Sequence, residues 1–162
     1  MEAIIFTGLQ ASGKSSFYRQ RFFDTHVRIN LDMLRTRNRE RVLLQACLEM
    51  KQPFVVDNTN PTPDDRARYI GPARQAGFRV VAYYFQPDLQ GSRARNDLRT
   101  GKARVPVGAI SGTAGRVQSP PWEEGFEAIY DVWVADGGFR VVERLREAGH
   151  QENPGYMKGF TG

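Results

Sequence analysis

Residues 8–16 read GLQASGKSS and follow directly on the apolar run AIIFT of residues 3–7. Such a run suffices for a buried strand, and a glycine-flanked GKS behind it marks a tight turn into a helix. The turn therefore sits where strand hands over to helix.

Gly8, Gly13, Lys14 and Ser15 have the spacing of the P-loop pattern: two glycines five positions apart, then lysine and a hydroxyl residue. Glycines let the backbone curl until successive N–H groups point into one concavity, and the helix N-terminus favours phosphate there. On this reading Lys14 reaches the β- and γ-phosphates of ATP, Ser15 helps to hold Mg²⁺, and Ser16 belongs to the same phosphate-binding turn. An ordinary glycine turn is the plainer alternative. A P-loop does not by itself say whether the phosphoryl group goes to water or to an acceptor.

The rest of the chain narrows the class. Its 162 residues suit one domain with a single sizeable core, leaving little room for a second catalytic domain. Hydrophobic residues make up 40% and charged residues 25%, and no apolar stretch is long enough to span a bilayer. Residues 1–7 already supply the first strand, so no signal peptide is expected and the cytoplasm is the expected location. Cys47 stands alone in a stretch that reads as helix, which points to a small buried side chain. The 23 Lys and Arg against 18 Asp and Glu give +5, which favours a polyanionic partner, and the lack of a spanning apolar stretch leads to the expectation of no membrane partner. Arginines thicken in RTRNRER (35–41) and again in RARNDLRTGKAR (93–104).

Periodicity gives a helix over about 14–23, a strand at HVRIN, and a helix through LDMLRTRNRERVLLQACLEM to residue 50. FVVDNTNP reads as a buried parallel strand opening onto a site. Thr62, Pro63 and two acidic residues start the next helix and Gly77 stops it, with a kink expected at Gly71 and Pro72. FRVVAYYF is a strand, followed by a helix over about 88–99 and an irregular segment over 100–121 that is the candidate mobile lid. AIYDVWVA is the last expected strand and FRVVERLREAG the last expected helix. Alternation of this kind gives an α/β fold with a mainly parallel sheet flanked by helices. Residues 1–149 form the expected domain, and 150–162 form a tail without periodicity.

Four segments, GLQASGKSSF, NLDMLR, VVDNTNP followed by RARY, and RNDLRTGKARVP, lie in the order and at the separations of one family. Over residues 3–135 the chain resembles the kinase domain of polynucleotide 5′-hydroxyl kinases. Leu31 departs from the family pattern, which has arginine there. The resemblance implies a P-loop phosphotransferase fold with an arginine-bearing lid, ATP and Mg²⁺ as cofactors, and a 5′-OH nucleic acid as substrate. The phosphatase signature Asp-x-Asp-x-Thr often fused to it is missing, so no 3′-phosphatase activity is expected.

The resemblance also assigns roles. Asp32 becomes the general base, a carboxylate that takes the proton of the attacking hydroxyl; it reads equally as a helix N-cap. Arg35 becomes the ligand of the phosphate beside that hydroxyl, or else a solvated helix face with Arg37, Arg39 and Arg41. Thr59 and Asn60 fall where the family contacts the acceptor, and Asp57 assists Mg²⁺ through water, unless all belong to an Asx-type turn. Arg95 and Arg99 grip the ATP phosphates from the lid, or lie on an exposed helix face. His26 and His150 show no ligand spacing and read as structural or solvated, while Trp122, Phe126 and Trp133 read as core rather than base-stacking platforms. Two other functions compete with the polynucleotide kinase: a kinase for a small hydroxylated metabolite or nucleoside, and a non-catalytic nucleotide-binding regulatory module.

Overall fold

The computed structural model describes residues 1–147, so the expected tail over 150–162 lies outside the described residues. Twelve main elements follow in chain order. They are β1 (Glu2–Thr7), α1 (Lys14–Arg21), β2 (Val27–Ile29), α2 (Leu31–Leu34), α3 (Arg37–Met50), β3 (Phe54–Val56), α4 (Pro63–Gln75), β4 (Arg79–Phe85), α5 (Leu89–Asp97), α6 (Val107–Ala114), β5 (Ala128–Ala135) and β6 (Gly138–Glu143). One six-stranded sheet has the order β2-β3-β1-β4-β5-β6, parallel except for the antiparallel edge strand β6. This is the α/β fold the alternation implied.

Side chains of β1 alternate between two cores, as strand geometry requires when both faces are covered. Ala3 and Ile5 join Leu44, Leu48, Tyr69 and Ala73 under α3 and α4. Ile4 and Phe6 join Phe17, Tyr18 and Phe22 under α1. With its central strands capped on both sides, the sheet opens only at its strand ends. Cys47 is buried, as its place in a helical stripe implied. Among the described residues no helix is long and apolar enough to cross a membrane.

Three expectations change. The stretch expected to be a final helix is strand β6: Ala135 pairs with Gly138, which leaves Asp136-Gly137 as a two-residue hairpin turn with Gly137 at φ 71°. Phe139 and Val141 then alternate inward onto the α1 core, and Leu145, which a helical stripe would bury, is exposed. The expected helix over 31–50 is broken. Arg35 at φ 75° ends α2, and Thr36 starts α3 by accepting from Arg39 N at 3.2 Å. The lid segment is not wholly irregular either, since it contains α6 and a short 3-10 turn at Gly101–Ala103. Helix α4 begins with the expected Thr62 cap, but it continues from Pro63 to Gln75 through Gly71 and Pro72, the residues read as contradicting an unbroken helix.

Arg66 of α4 locks the sheet to the segment before β5. It is fully buried, pairs with both carboxylate oxygens of Glu124 at 2.8 and 2.6 Å, and donates to the carbonyls of Asn60, Pro61 and Gln118. Removing one partner leaves a buried charge uncompensated, which costs about 3 kcal/mol or more. Arg66→Met is accordingly expected to lower the melting temperature by roughly 6–12 °C for a domain of this size. A melt within about 2 °C of wild type would show the knot to be dispensable.

Candidate active site

The cleft at the ends of β1, β2 and β3 has a volume of about 1010 Å³, and sequence-distant residues meet there. On one side lies the loop between β1 and α1. Gly13 is the N-cap of α1 at φ 93° and has no side chain to cap the first-turn N–H groups of Lys14, Ser15 and Ser16. Both glycines of the pattern are also demanded by packing. A Cβ on Gly8 would lie 2.7 Å from Phe85 Cβ, and one on Gly13 would lie 2.8 Å from the Phe139 ring. The β5–β6 hairpin thus braces the loop from behind.

Lys14 is buried against its own loop. Its ammonium donates to the carbonyls of Gly8 and Leu9 and to Ser12 Oγ. Burial pulls its pKa down to about 8; Asp57 and Asp32 oppose that shift, and Arg99 adds to it. Those three charges are therefore within electrostatic reach of the lysine. Ser15 Oγ donates to Asp57 Oδ2 at 2.9 Å, and Asp57 is buried at the end of β3.

Across the cleft stand Asp32 and Arg35. The cap of α2 is Asn30, whose Oδ1 accepts from Met33 N at 2.9 Å, so the N-cap reading of Asp32 is corrected. Asp32 is exposed, and its carboxylate has no hydrogen-bond or ion-pair partner among the described residues. The break at Arg35 has a directional consequence. Residues two apart on one helix face different ways; with the chain turned between them, Arg35 and Arg37 both line the cleft. Arg39 and Arg41 do not, and donate instead to Leu34 O and Asn38 Oδ1.

The DNTN segment proves more structural than expected. Thr59 lines the cleft while its carbonyl accepts from Gly8 N at 3.0 Å. Asn60 also borders the cleft, but its side chain is buried and its Nδ2 donates to Phe6 O at 2.8 Å, tying β3 to β1. No Asx turn closes the segment: Asn58 accepts from Leu31 N at 2.8 Å and donates to Glu40 and Tyr69. Glu40 is itself buried and accepts from Arg37 at 2.8 Å and from Tyr69 OH at 3.0 Å. Tyr69 and Arg66, the ends of the RARY segment, are thus interior supports.

The two lid arginines separate. Arg99 lines the cleft, with Nη1 donating to Ala103 O at 3.3 Å. Arg95 does not line it; its Nε donates to Ala11 O at 2.6 Å, which clamps α5 to the loop. Gln10 does the same for α6 by donating to Thr113 Oγ1 at 2.9 Å. Trp133 is partly exposed with Arg140 stacked on its ring, contrary to the core reading, whereas Phe126 is core. His26 sits 3.8 Å from Glu2, away from the cleft, and His150 lies outside the described residues. Arg28 was missed altogether; a charged residue in a three-residue strand beside FVVD was the signal.

Residues 4–120 match the AAA domain family. The bifunctional polynucleotide phosphatase/kinase of Schizosaccharomyces pombe is 27% identical over 135 residues, which cover 81% of this chain and 33% of that protein. The chain thus spans about a third of the length of the curated relative it matches. Among solved structures, Chaetomium thermophilum Kti12 in complex with ADP-AlF3 superposes with a TM-score of 0.62 at 16% identity, covering 80% of this chain and 87% of that one. A gluconokinase from Sinorhizobium meliloti 1021 superposes with a TM-score of 0.58 at 20% identity, covering 83% of each chain. The fold is shared with P-loop kinase structures, and with the family match extending over most of its length the chain belongs to the AAA domain family as a P-loop kinase-like domain.

Proposed function

We propose that this domain transfers the γ-phosphoryl group of ATP to the 5′-hydroxyl of a polynucleotide. The observation that carries the reading is Asp32, an unpartnered carboxylate on a cleft with Lys14 on one side and Arg35 and Arg37 on the other. A regulatory nucleotide switch needs neither a base nor cations on the acceptor side. The likeness to a polynucleotide phosphatase/kinase adds support.

In this reading the uncapped N–H groups of α1 and the Lys14 ammonium cradle the phosphates. Asp32 takes the proton of the 5′-hydroxyl as its oxygen attacks the γ-phosphorus, and Lys14 and Arg99 neutralise charge on the transferred group and on the leaving ADP oxygen. The residues also fit a magnesium ion. Ser15 Oγ and Asp57 Oδ2 are hard oxygen donors 2.9 Å apart, and no group of three or more His, Cys, Asp or Glu forms an all-protein cage among the described residues. That suits an ion that keeps waters and borrows phosphate ligands. When bound, it would draw charge from the phosphate oxygens.

Arg35 and Arg37 give the acceptor its length. A charge-assisted hydrogen bond is worth about 1.5–3 kcal/mol, or roughly 10- to 100-fold in affinity. Arg35→Ala is expected to raise the KM of every phosphorylated acceptor by that factor and to leave the KM of ATP unchanged. Arg37 is also the ion-pair partner of buried Glu40, so Arg37→Met should weaken only acceptors with a second phosphate, sparing a nucleoside 3′-phosphate, and should in addition lower the melting temperature. Two phosphate contacts imply a salt slope of roughly 1.4 for single strands.

The deciding experiment follows label from γ-labelled ATP to 5′-OH DNA, 5′-OH RNA, nucleoside 3′-phosphates, nucleosides and gluconate. Preference for 5′-OH oligonucleotides supports the proposal. Strong preference for an uncharged or non-nucleotide hydroxyl compound replaces it with a metabolite kinase.

A further inference from the structure

Arg28 lies on β2, in register with Val55 of β3, and reaches across the strand ends into the Ser15–Asp57 pair. Its Nε donates to Asp57 Oδ2 at 2.8 Å, its Nη2 lies 2.7 Å from the same oxygen, and Nη2 donates to Ser15 Oγ at 2.8 Å. Ser15 Oγ in turn donates to Asp57 Oδ2 at 2.9 Å, closing a triangle. The Asp57 side chain is 1% exposed and has no other ion-pair partner among the described residues. Tyr18 backs the guanidinium, with its ring centroid 5.9 Å from Cζ and its hydroxyl fixed on His26 O at 2.7 Å.

We propose that Arg28 is a resident cation that neutralises the metal-side carboxylate, so that the protein takes up a divalent ion only together with a nucleotide. The inference rests on the nucleotide-binding reading above. Two physical steps lead to it. A buried carboxylate already paired with a guanidinium offers a second cation little net charge, and Ser15 is neutral, so the free cleft lacks the anionic ligands that a hard ion requires. The missing charge is supplied by phosphate oxygens at the N-terminus of α1. The second step concerns the Ser15 hydroxyl, which has one proton and two lone pairs. Asp57 takes the proton and Arg28 fills one lone pair, leaving the other for the ion. Arg28 therefore orients this ligand while suppressing metal binding ahead of the nucleotide. It is a positioning residue, not a catalytic one.

The test uses Mn²⁺ as probe and counts free ion by electron paramagnetic resonance, with the full chain and no nucleotide. Wild type is expected to bind Mn²⁺ no more tightly than about 1 mM, the weak regime of few-ligand oxygen sites. Arg28→Met should bind at least about tenfold more tightly, a change of ~1.4 kcal/mol. Adding Asp57→Asn to that variant should abolish the gain. Should Arg28→Met fail to fold, Arg28→Gln keeps a hydrogen-bond donor without the charge and should show the same tightening. Equal Mn²⁺ affinity in wild type and the neutral variant, or tight binding by nucleotide-free wild type, would overturn the proposal. Binding of ATP in metal-chelating buffer is measured in parallel. Its complete absence defeats the nucleotide reading, whereas retained ATP binding with unchanged Mn²⁺ affinity defeats only the role of Arg28.

Discussion

Lys14→Met is expected to lower the rate of phosphoryl transfer at saturating ATP by about 10³-fold while leaving the melting temperature close to that of wild type. Removing one preorganised donor from a transition state in which charge develops costs about 3–4 kcal/mol, which is a factor of 10²–10³. Lys14 belongs at the upper end because its ammonium is both charged and buried. Its ammonium is held by Gly8 O, Leu9 O and Ser12 Oγ, ligands that it would exchange for phosphate oxygens in the proposed reading. The exchange is favourable because burial has already made the ammonium costly, drawing its pKa down to about 8. The same burial separates two substitutions. Alanine removes the packed stem as well as the charge, whereas methionine keeps the stem. Steady-state rates, ATP titration calorimetry and a thermal melt are measured together. A rate within tenfold of wild type would remove Lys14 from the chemistry, and a large loss of stability in the methionine variant would reassign it to holding the loop.

What the sequence disclosed about this region followed from distance along the chain. Gly8, Gly13, Lys14 and Ser15 lie on one loop and the first turn of the helix that follows it, so their geometry is fixed by local backbone conformation and can be read from spacing alone. The same holds for Thr62 and Pro63 at the start of α4, where the cap and its partner Asp65 are three residues apart. The supports were not legible, because their partners are distant. Arg28 and Asp57 are separated by 29 residues, Asn60 and Phe6 by 54, and Arg66 and Glu124 by 58. No periodicity encodes a pairing across a sheet whose strand order is itself unknown. The β5–β6 hairpin is a different case, since Asp136-Gly137 is a local turn signal. The apolar residues after it fit both a strand and a helix, and their pairing with β5 and the packing of Phe139 and Val141 on the α1 core favour the strand.

The broken helix connects fold to chemistry in the same way. A residue other than glycine at positive φ is held there by its surroundings, at a cost of about 1–3 kcal/mol. Arg35 stands at φ 75° between two well-capped helices, with Asn30 starting α2 and Thr36 starting α3. Buried Glu40 and half-buried Asn58 anchor the flanks, one on Arg37 and Tyr69, the other on Leu31 N. Local caps and long-range anchors together force the turn that brings Asp32, Arg35 and Arg37 to one wall of the cleft.

That wall is tested most directly by Asp32→Asn, which should reduce transfer to a 5′-hydroxyl by about 10²–10⁴, the usual worth of a general base. The substitution is nearly isosteric and removes the negative charge together with the ability to accept a proton. It should not disturb α2, because Asn30 and not Asp32 is the cap, and because the Asp32 carboxylate has no partner among the described residues to lose. Stability is therefore expected to stay within about 0.5 kcal/mol of wild type, as for other surface substitutions. Binding of ATP should be retained, since in the proposed reading the phosphates are held by Lys14 and the N–H groups of α1. Acceptor binding should be retained as well, since Arg35 and Arg37 are untouched. The expected signature is a loss confined to kcat with both KM values unchanged, read from transfer of label to an oligonucleotide carrying a 5′-hydroxyl. Retained turnover would mean that the proton leaves by another route and that neither the basicity nor the charge of the Asp32 carboxylate on α2 is needed for the bond-making step.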